Sequence, residues 1–455
     1  MNVPASGISH GEAKPVPSNS LHEVDATYKK VTRRLIPFLF ICWMVNYIDR
    51  INVGFAKIPL ATDIGLSEAA YGLGVGLFIF GYVIFEIPSN LLLTRIGARK
   101  TLARIMLLWG AISCLTFLVR TPTEFYVARF VLGVAEAGFY PGLILYLTFW
   151  FPSSRRARVM SRFLLAMAVA GVIGGPLAGL ILTHTSGLLG FRNWQWLFFI
   201  EGLPAIVLGI VALFYLDDSP KDAKWLTASE KELIQTNLHL GESSKPGHDH
   251  GISDFLSVFR DPRLYLAVVG YTVIPVLGTV LNYWTPTIIH NIANPDIGTV
   301  ATLSAIPFGL GALGMLVIAR HSDRKLERRW HYFFTVSCGA VALLCLPHVA
   351  GNLGLALLCL SLVGVAYYGG STIFWTIPPA YFPSRSASVG IAATSSLGQI
   401  GAVLAPILLG WAKTHTHSMA AGFIFIAALT VLGGLAIVLG IPRSALREHK
   451  LKTGN

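Results

Sequence analysis

The stretch Cys42–Ala56, CWMVNYIDRINVGFA, sets an aspartate and an arginine, Asp49 and Arg50, side by side near the end of an apolar run that begins at Leu35. Each ionised group at the centre of a membrane-spanning helix costs roughly 2.5 to 3.5 kcal/mol on insertion scales. Two such groups persist there only if a partner neutralises them or a function uses them. The rest of the chain says whether the setting is a membrane. Of 455 residues, 54% are hydrophobic and 13% charged, against about 25% charged in an ordinary soluble domain. Apolar segments of about 20 residues recur throughout, each long enough at ~1.5 Å per residue to cross a ~30 Å hydrocarbon core.

Apolar runs between polar breaks predict twelve spans, over 33–56, 71–93, 102–120, 124–150, 163–184, 194–216, 264–290, 298–319, 332–350, 354–381, 387–411 and 420–441. The fold class expected is therefore an all-α integral membrane protein, two six-helix bundles over 33–216 and 264–441. Residues 1–32 are polar, lack the apolar core of a signal peptide, and read as a disordered cytoplasmic tail. The one long connection, 217–263, is a cytoplasmic linker. Within it TASEKELI, from Thr227, has the Thr and Glu spacing of a capping box and predicts a short amphipathic helix. Residues 442–455 form a second cytoplasmic tail.

A formal net charge of +12 could suggest nucleic acid, but the basic residues sit at helix ends, which excludes that class and sets topology instead. With both termini placed inside, the outer face holds Lys57, Arg120, Arg192 and Lys413, and Arg50 and Arg129 lie within spans; the remaining lysines and arginines fall on the cytoplasmic side. The expected location is the cell inner (plasma) membrane. The halves echo one another: RIGARK at Arg95–Lys100 matches RHSDRK at Arg320–Lys325, and FPSSR from Phe151 matches FPSR from Phe382 at nearly the same offset. A parallel six-helix repeat of this kind places a binding site between the halves, near the midplane. The five cysteines all lie in apolar segments without metal-ligand spacing and read as small buried hydrophobes. No metal and no cofactor is expected.

Carboxylates within the bilayer are Asp49, Glu86, Glu136 and Glu201, all in the first half. Helical rise puts Asp49 and Arg50 roughly 9–10 Å below the outer boundary, Arg129 roughly 6 Å deep, and Glu136 roughly 17 Å deep. Arg129 and Glu136 share a helical face. Asp49 and Arg129 share a layer and can pair. Neighbours on a helix point about 100° apart, so Asp49 and Arg50 address different partners. Trp43, Asn46, Tyr47 and Arg50 form one stripe at i, i+3, i+4 and i+7. One of the charged pair then closes a network with span 4 and the other is free to meet an anion. The structural alternative is that Asp49, Arg50, Arg129 and Glu136 simply neutralise one another and lock two helices together. Glu86 and Glu201, near boundaries, read as structural or gating residues. In the second half the candidates are Tyr283, Trp375, Ser395 and Gln399, with Asn282, Tyr367, Tyr368 and Ser371 beside them, which contribute shape, stacking and neutral hydrogen bonds.

NYIDRINVGFA, FEIPSNLLLTRIGARK, RFVLGVAEAGFYPG, YWTP and RHSDRKLERRW together resemble the anion:cation symporter family of the major facilitator superfamily, particularly its bacterial tartrate- and phthalate-permease-like members. The resemblance implies proton-coupled uptake of an organic carboxylate by a monomer, with protons and the small organic anion as its partners. It implies that Asp49 and Glu136 handle protons, that Arg129 pairs with Asp49, and that Arg50 binds the substrate carboxylate; Asn46, Tyr47, Tyr283, Trp375, Ser395 and Gln399 join the expected substrate site from their positions in the sequence alone. Two departures stand out. Asn90 and Thr94 replace the Gly and Asp of the superfamily signature after span 2, while the second-half loop keeps Asp323. FLLAMAVAG in span 5 lacks the glutamine of sugar-acid members, which favours a short or aromatic carboxylate. Alternatives are a sugar-acid symporter, an anion exchanger or facilitator of the same fold, and, last, a transporter-like sensor. No nucleophile elbow, phosphate loop or His/Cys/Asp cluster points to an enzyme.

Overall fold

The computed structural model describes residues 18–243, 258–293, 295–349, 351–382 and 387–442. The expected tails 1–17 and 443–455 and the linker stretch 244–257 lie outside these. Among the described residues, twelve helical segments are long and apolar enough to cross a membrane: His22–Ile64, Glu68–Leu93, Ala98–Leu118, Pro122–Trp150, Leu165–His184, Asn193–Tyr215, Pro262–Ile292, Ile297–Lys325, Arg329–His348, Leu353–Phe374, Val389–Thr416 and Ala420–Gly440. They are called spans 1 to 12 below. Large apolar side chains cover the outside, such as Phe214 at 84% and Leu439 at 79% exposed, a surface that lipid and not water accommodates.

Because lipid offers no hydrogen bonds, helix ends must be satisfied at the boundaries. Thr121 and Asp261 cap spans 4 and 7, each followed by proline; Ser67, Asp296 and Asn352 cap spans 2, 8 and 10. Glu327 caps span 9 by accepting the Trp330 N–H at 2.9 Å and the His331 N–H at 3.2 Å. Burial pushes its carboxyl up, but these donors together with the His331 ring outweigh it and hold the group below the ordinary glutamate range. Asp323, in the last turn of span 8, pairs with Arg328 at 2.6 Å. In the linker, Thr227 and Glu230 form the reciprocal cap of a helix over Ala228–Ser243.

Four expectations need correction. The first helix begins at Ser18, so residues 18–32 are not a disordered tail. Tyr28, Val31 and Leu35 make a buried stripe, and Lys30 pairs with Glu230 of the linker helix at 2.8 Å. Span 4 is two helices, Pro122–Glu136 and Phe139–Trp150. The tenth helix ends at Phe374, with Pro378–Tyr381 a separate turn, since two consecutive prolines remove the backbone donors needed to continue. Cys338 and Cys345 are exposed on the apolar surface; Cys42 and Cys359 are buried as expected.

The two halves meet along spans 1 and 7, 2 and 11, and 5 and 8. The contacts gather at the end expected to face outward. There the Tyr71 hydroxyl donates to the Tyr283 carbonyl at 3.0 Å and the Ala69 N–H donates to Thr414 Oγ1 at 2.9 Å. Lys57, paired with Glu68 at 2.6 Å, lies 3.7 Å from the ring centre of Trp284. Backbones approach closely enough that a Cβ on Gly54 would stand 2.8 Å from the Asn282 carbonyl oxygen, the small-residue packing that membrane helices use. Gly54→Leu is therefore expected to wedge this seam open. A cysteine introduced at the buried Thr287 should then react with maleimide several-fold faster than in the parent background, and an equal rate would mean that the seam does not depend on Gly54.

Candidate functional site

The break in span 4 positions the site. After Glu136 the chain leaves the helix at Ala137, and Gly138 takes φ +83° before the helix resumes at Phe139. A Cβ on Gly138 would lie 2.7 Å from the Ser89 hydroxyl, so both backbone conformation and space require glycine there. Glu136 thus closes a half-helix, at the end where unpaired carbonyls already carry partial negative charge. A carboxylate in that position needs donors, and span 1 supplies them. Asn46 Nδ2 donates to Glu136 Oε1 at 2.6 Å, and Arg50 donates to the same oxygen through Nη2 at 2.6 Å and Nε at 3.0 Å. Glu136 is 1% exposed, while the Arg50 side chain keeps 22% exposure. The Arg50 guanidinium also stands 4.8 Å from the Tyr82 ring centre, within range of a cation–π contact.

Asp49 turns away from Arg50, as helical geometry requires. It accepts from the Ser113 hydroxyl of span 3 and from Asn52 Nδ2 at 3.1 Å. Arg129, 1% exposed, has no hydrogen-bond partner on any of its three nitrogens; its guanidinium lies 4.4 Å from the ring centre of Phe78. The expected Asp49–Arg129 pair is not formed. Arg50 sits on the stripe of Asn46 and reaches down one turn to Glu136, while Ser113 and Asn52 draw Asp49 to the other side. The residue expected to be free for an anion is the one already holding a carboxylate.

From the second half, Asn282 Oδ1 accepts from the Tyr47 hydroxyl of span 1 at 2.8 Å, beside Tyr367 and Tyr368. Asn282, Tyr283 and Trp284 lie in a π-helical turn, Val280–Trp284. Such an inserted turn re-aims the side chains it carries, and Tyr283 comes within electrostatic reach of both Arg50 and Arg129. Trp375 packs its ring 4.8 Å from Tyr271, and Ser395 approaches the Tyr271 hydroxyl. Gln399 is half-buried one turn further along span 11. Sequence reasoning missed Phe78, Tyr82 and Tyr271. The first two share a face with Glu86 at i, i+4 and i+8, a signal that was legible; Tyr271 carried none. Among the described residues no His, Cys, Asp or Glu group is arranged to hold a metal ion.

Similarity to known proteins extends over nearly the whole chain. The Major Facilitator Superfamily profile matches residues 39–406. A protein of Agrobacterium vitis named "Putative tartrate transporter" is 37% identical over 429 residues, 94% of this chain and 94% of that protein. A "Quinolone resistance transporter" of Acinetobacter baumannii is 38% identical over 430 residues, covering 94% and 97%. Among solved structures, a D-xylose-proton symporter superposes with a TM-score of 0.71 at 16% identity, over 92% of this chain and 99% of that one, which speaks to fold alone.

The glycine at the break generates a controlled test. Gly190 also has positive φ, at +79°, but nothing lies within 4 Å of its would-be Cβ. Gly190→Ala should cost only the conformational strain, about 1 kcal/mol. Gly138→Ala, which adds a collision with Ser89, should lower the midpoint of thermal unfolding further, and equal losses in the two purified variants would mean that Ser89 yields freely.

Proposed function

The chain belongs to the Major Facilitator Superfamily and is a multi-pass membrane transporter, and from that premise we propose that it imports an organic carboxylate together with protons by alternating access. The observation that carries this reading is the occupancy of Arg50 by Glu136. An anionic substrate and an ionised Glu136 compete for one guanidinium. A proton on Glu136 removes the competitor, and Arg50 can then grip a carboxylate with two parallel N–H bonds. Proton and anion therefore favour each other's binding, which is the thermodynamic content of symport.

The lysine and arginine bias supports a cytoplasmic N-terminus and an inner-membrane location. With that orientation the closed seam of Lys57, Tyr71, Tyr283 and Trp284 faces outward, and the reading requires a cleft between the halves that opens on the opposite, inner side. Protons arriving from the outer side neutralise Glu136 and then Asp49, and charge balance then allows the cleft to close around an anion at Arg50. After the halves rock, ionisation on the inner side returns Glu136 to Arg50 and expels the substrate. Arg129 stays charged throughout, resting on Phe78 and waiting for Asp49. Asn46 holds Glu136, Tyr47 and Tyr283 line the approach, and Trp375, Ser395 and Gln399 read the organic part. The relative named for tartrate suits a small dicarboxylate, and the apolar stretch FLLAMAVAG in span 5 disfavours a polyhydroxylated sugar acid. The relative named for quinolone resistance favours a second reading, outward transport of an aromatic anion; the direction of net flux in vesicles separates the two.

Glu136→Gln imitates the protonated state, so in reconstituted vesicles it should exchange labelled substrate by counterflow yet fail to accumulate it under an imposed pH difference. Accumulation by this variant would remove Glu136 from coupling and leave Asp49 as the candidate. Arg50→Lys keeps the charge but loses the bidentate grip, and binding to the purified variant should weaken by at least about tenfold, the worth of one charge-assisted hydrogen bond. Unchanged affinity would place the substrate carboxylate elsewhere.

A further inference from the structure

Glu201, in span 6, is 4% exposed, and neither of its carboxyl oxygens has a hydrogen-bond partner. It lies beside Asn52 and within electrostatic reach of Asp49. Asn52 is itself 1% exposed; its Nδ2 donates to Asp49 Oδ1 at 3.1 Å, and its Oδ1 is buried without a donor. An ionised Glu201 would add an unpaired charge to a site already short of donors. A carboxylic acid there supplies a missing O–H; of the two buried acceptors left without a donor, Asn52 Oδ1 and Asp49 Oδ2, the amide oxygen belongs to the residue beside Glu201.

We propose that Glu201 is a third proton-holding carboxyl, beside Glu136 and Asp49, donating its O–H to Asn52 Oδ1 and thereby orienting the amide that holds Asp49. The bridge is reversible. Turned by 180°, the same amide offers Nδ2 to an ionised Glu201 and Oδ1 to a protonated Asp49. Asn52 therefore fits one proton on the pair, at either end, and the two carboxyls titrate as a unit. The groups facing Glu201 agree with this. Span 1 presents Asp49; span 3 presents the Cys114 thiol, which packs on Gly202 and feels Asp49. Span 5 has no ionisable residue between Phe163 and Thr183. The role in coupling rests on the proton-coupled reading above, whereas the hydrogen bond to Asn52 does not.

Infrared difference spectroscopy on the purified full-length protein in lipid nanodiscs tests the bond directly. At neutral pH a protonated-carboxyl C=O component should be present, should vanish in Glu201→Gln, and should shift in Asn52→Leu. A component that survives unchanged in Glu201→Gln overturns the proposal. In vesicles, Glu201→Gln keeps an N–H donor and Glu201→Leu keeps none, so uptake by the leucine variant should be lower by on the order of tenfold, one buried hydrogen bond. The pH midpoint of uptake should move in Glu201→Gln, because Asp49 loses the partner that shares its proton; a midpoint that stays put counts against the proposal. If Glu201→Leu fails to reach the membrane, the glutamine variant and its spectrum decide. Loss of the C=O component in Glu201→Gln, alongside accumulation by Glu136→Gln, would sink the coupling reading for Glu136 while leaving the Glu201–Asn52 bond standing.

Discussion

The ion pair between Arg50 and Glu136 is the contact on which the rest of the first half depends. A guanidinium and a carboxylate removed from water each carry a desolvation penalty of several kcal/mol, recovered only with good geometry and further hydrogen bonds. Here one carboxylate oxygen takes three donors, from Asn46 and Arg50, at a helix end whose own carbonyls repel it. The arrangement holds only while both partners are charged and span 4 stays interrupted below Glu136. It is poised rather than rigid, since removing either charge leaves the other exposed to its full cost.

Much of this was legible in the sequence, and the limits have physical reasons. Twelve spans, the central linker and the sidedness of charge follow from composition and period, because lipid forces every span to announce itself by length and apolarity. The intramembrane residues Asp49, Arg50, Arg129 and Glu136 were found on the same ground. Their pairing was not. Depth along a helix is fixed by rise per residue, but which partner a long arginine chooses depends on a full turn of reach, and Arg50 uses that reach to bypass its own layer. The interruption at Ala137–Gly138 was also hidden, since a single glycine in an apolar run reads as packing. Glu201 illustrates the same limit. Counted from the end of span 6 it looked peripheral, yet neighbouring helices bury it to 4% exposure and bring it beside Asn52.

The two halves divide their chemistry unequally. Charge lies in the first half, where Arg50, Arg129, Asp49, Glu136 and Glu201 gather on three spans, 1, 4 and 6. The second half offers rings and neutral donors, with Tyr271, Trp375 and Ser395 in one cluster and Asn282 and Tyr283 in another. Phe78 mediates within the first half: one face region carries Arg129 at 4.4 Å and the ring also lies 5.6 Å from Arg50. An aromatic ring can accept both cations without neutralising either, which a carboxylate in its place could not do.

The seam at Gly54 is backbone against backbone, glycine facing the Asn282 carbonyl; it uses the turn Val280–Trp284 that carries Asn282 and Tyr283, but none of Trp375, Ser395 and Gln399. Mechanical closure is therefore separable from the part of recognition assigned to Trp375, Ser395 and Gln399, though not from Tyr283, which serves both. A lineage can exchange residues such as Trp375 or Ser395 and acquire a different cargo while its rocking motion is inherited intact. Diversity of substrates on one shared engine is then the expected evolutionary outcome of how closely a single glycine allows two helix backbones to touch.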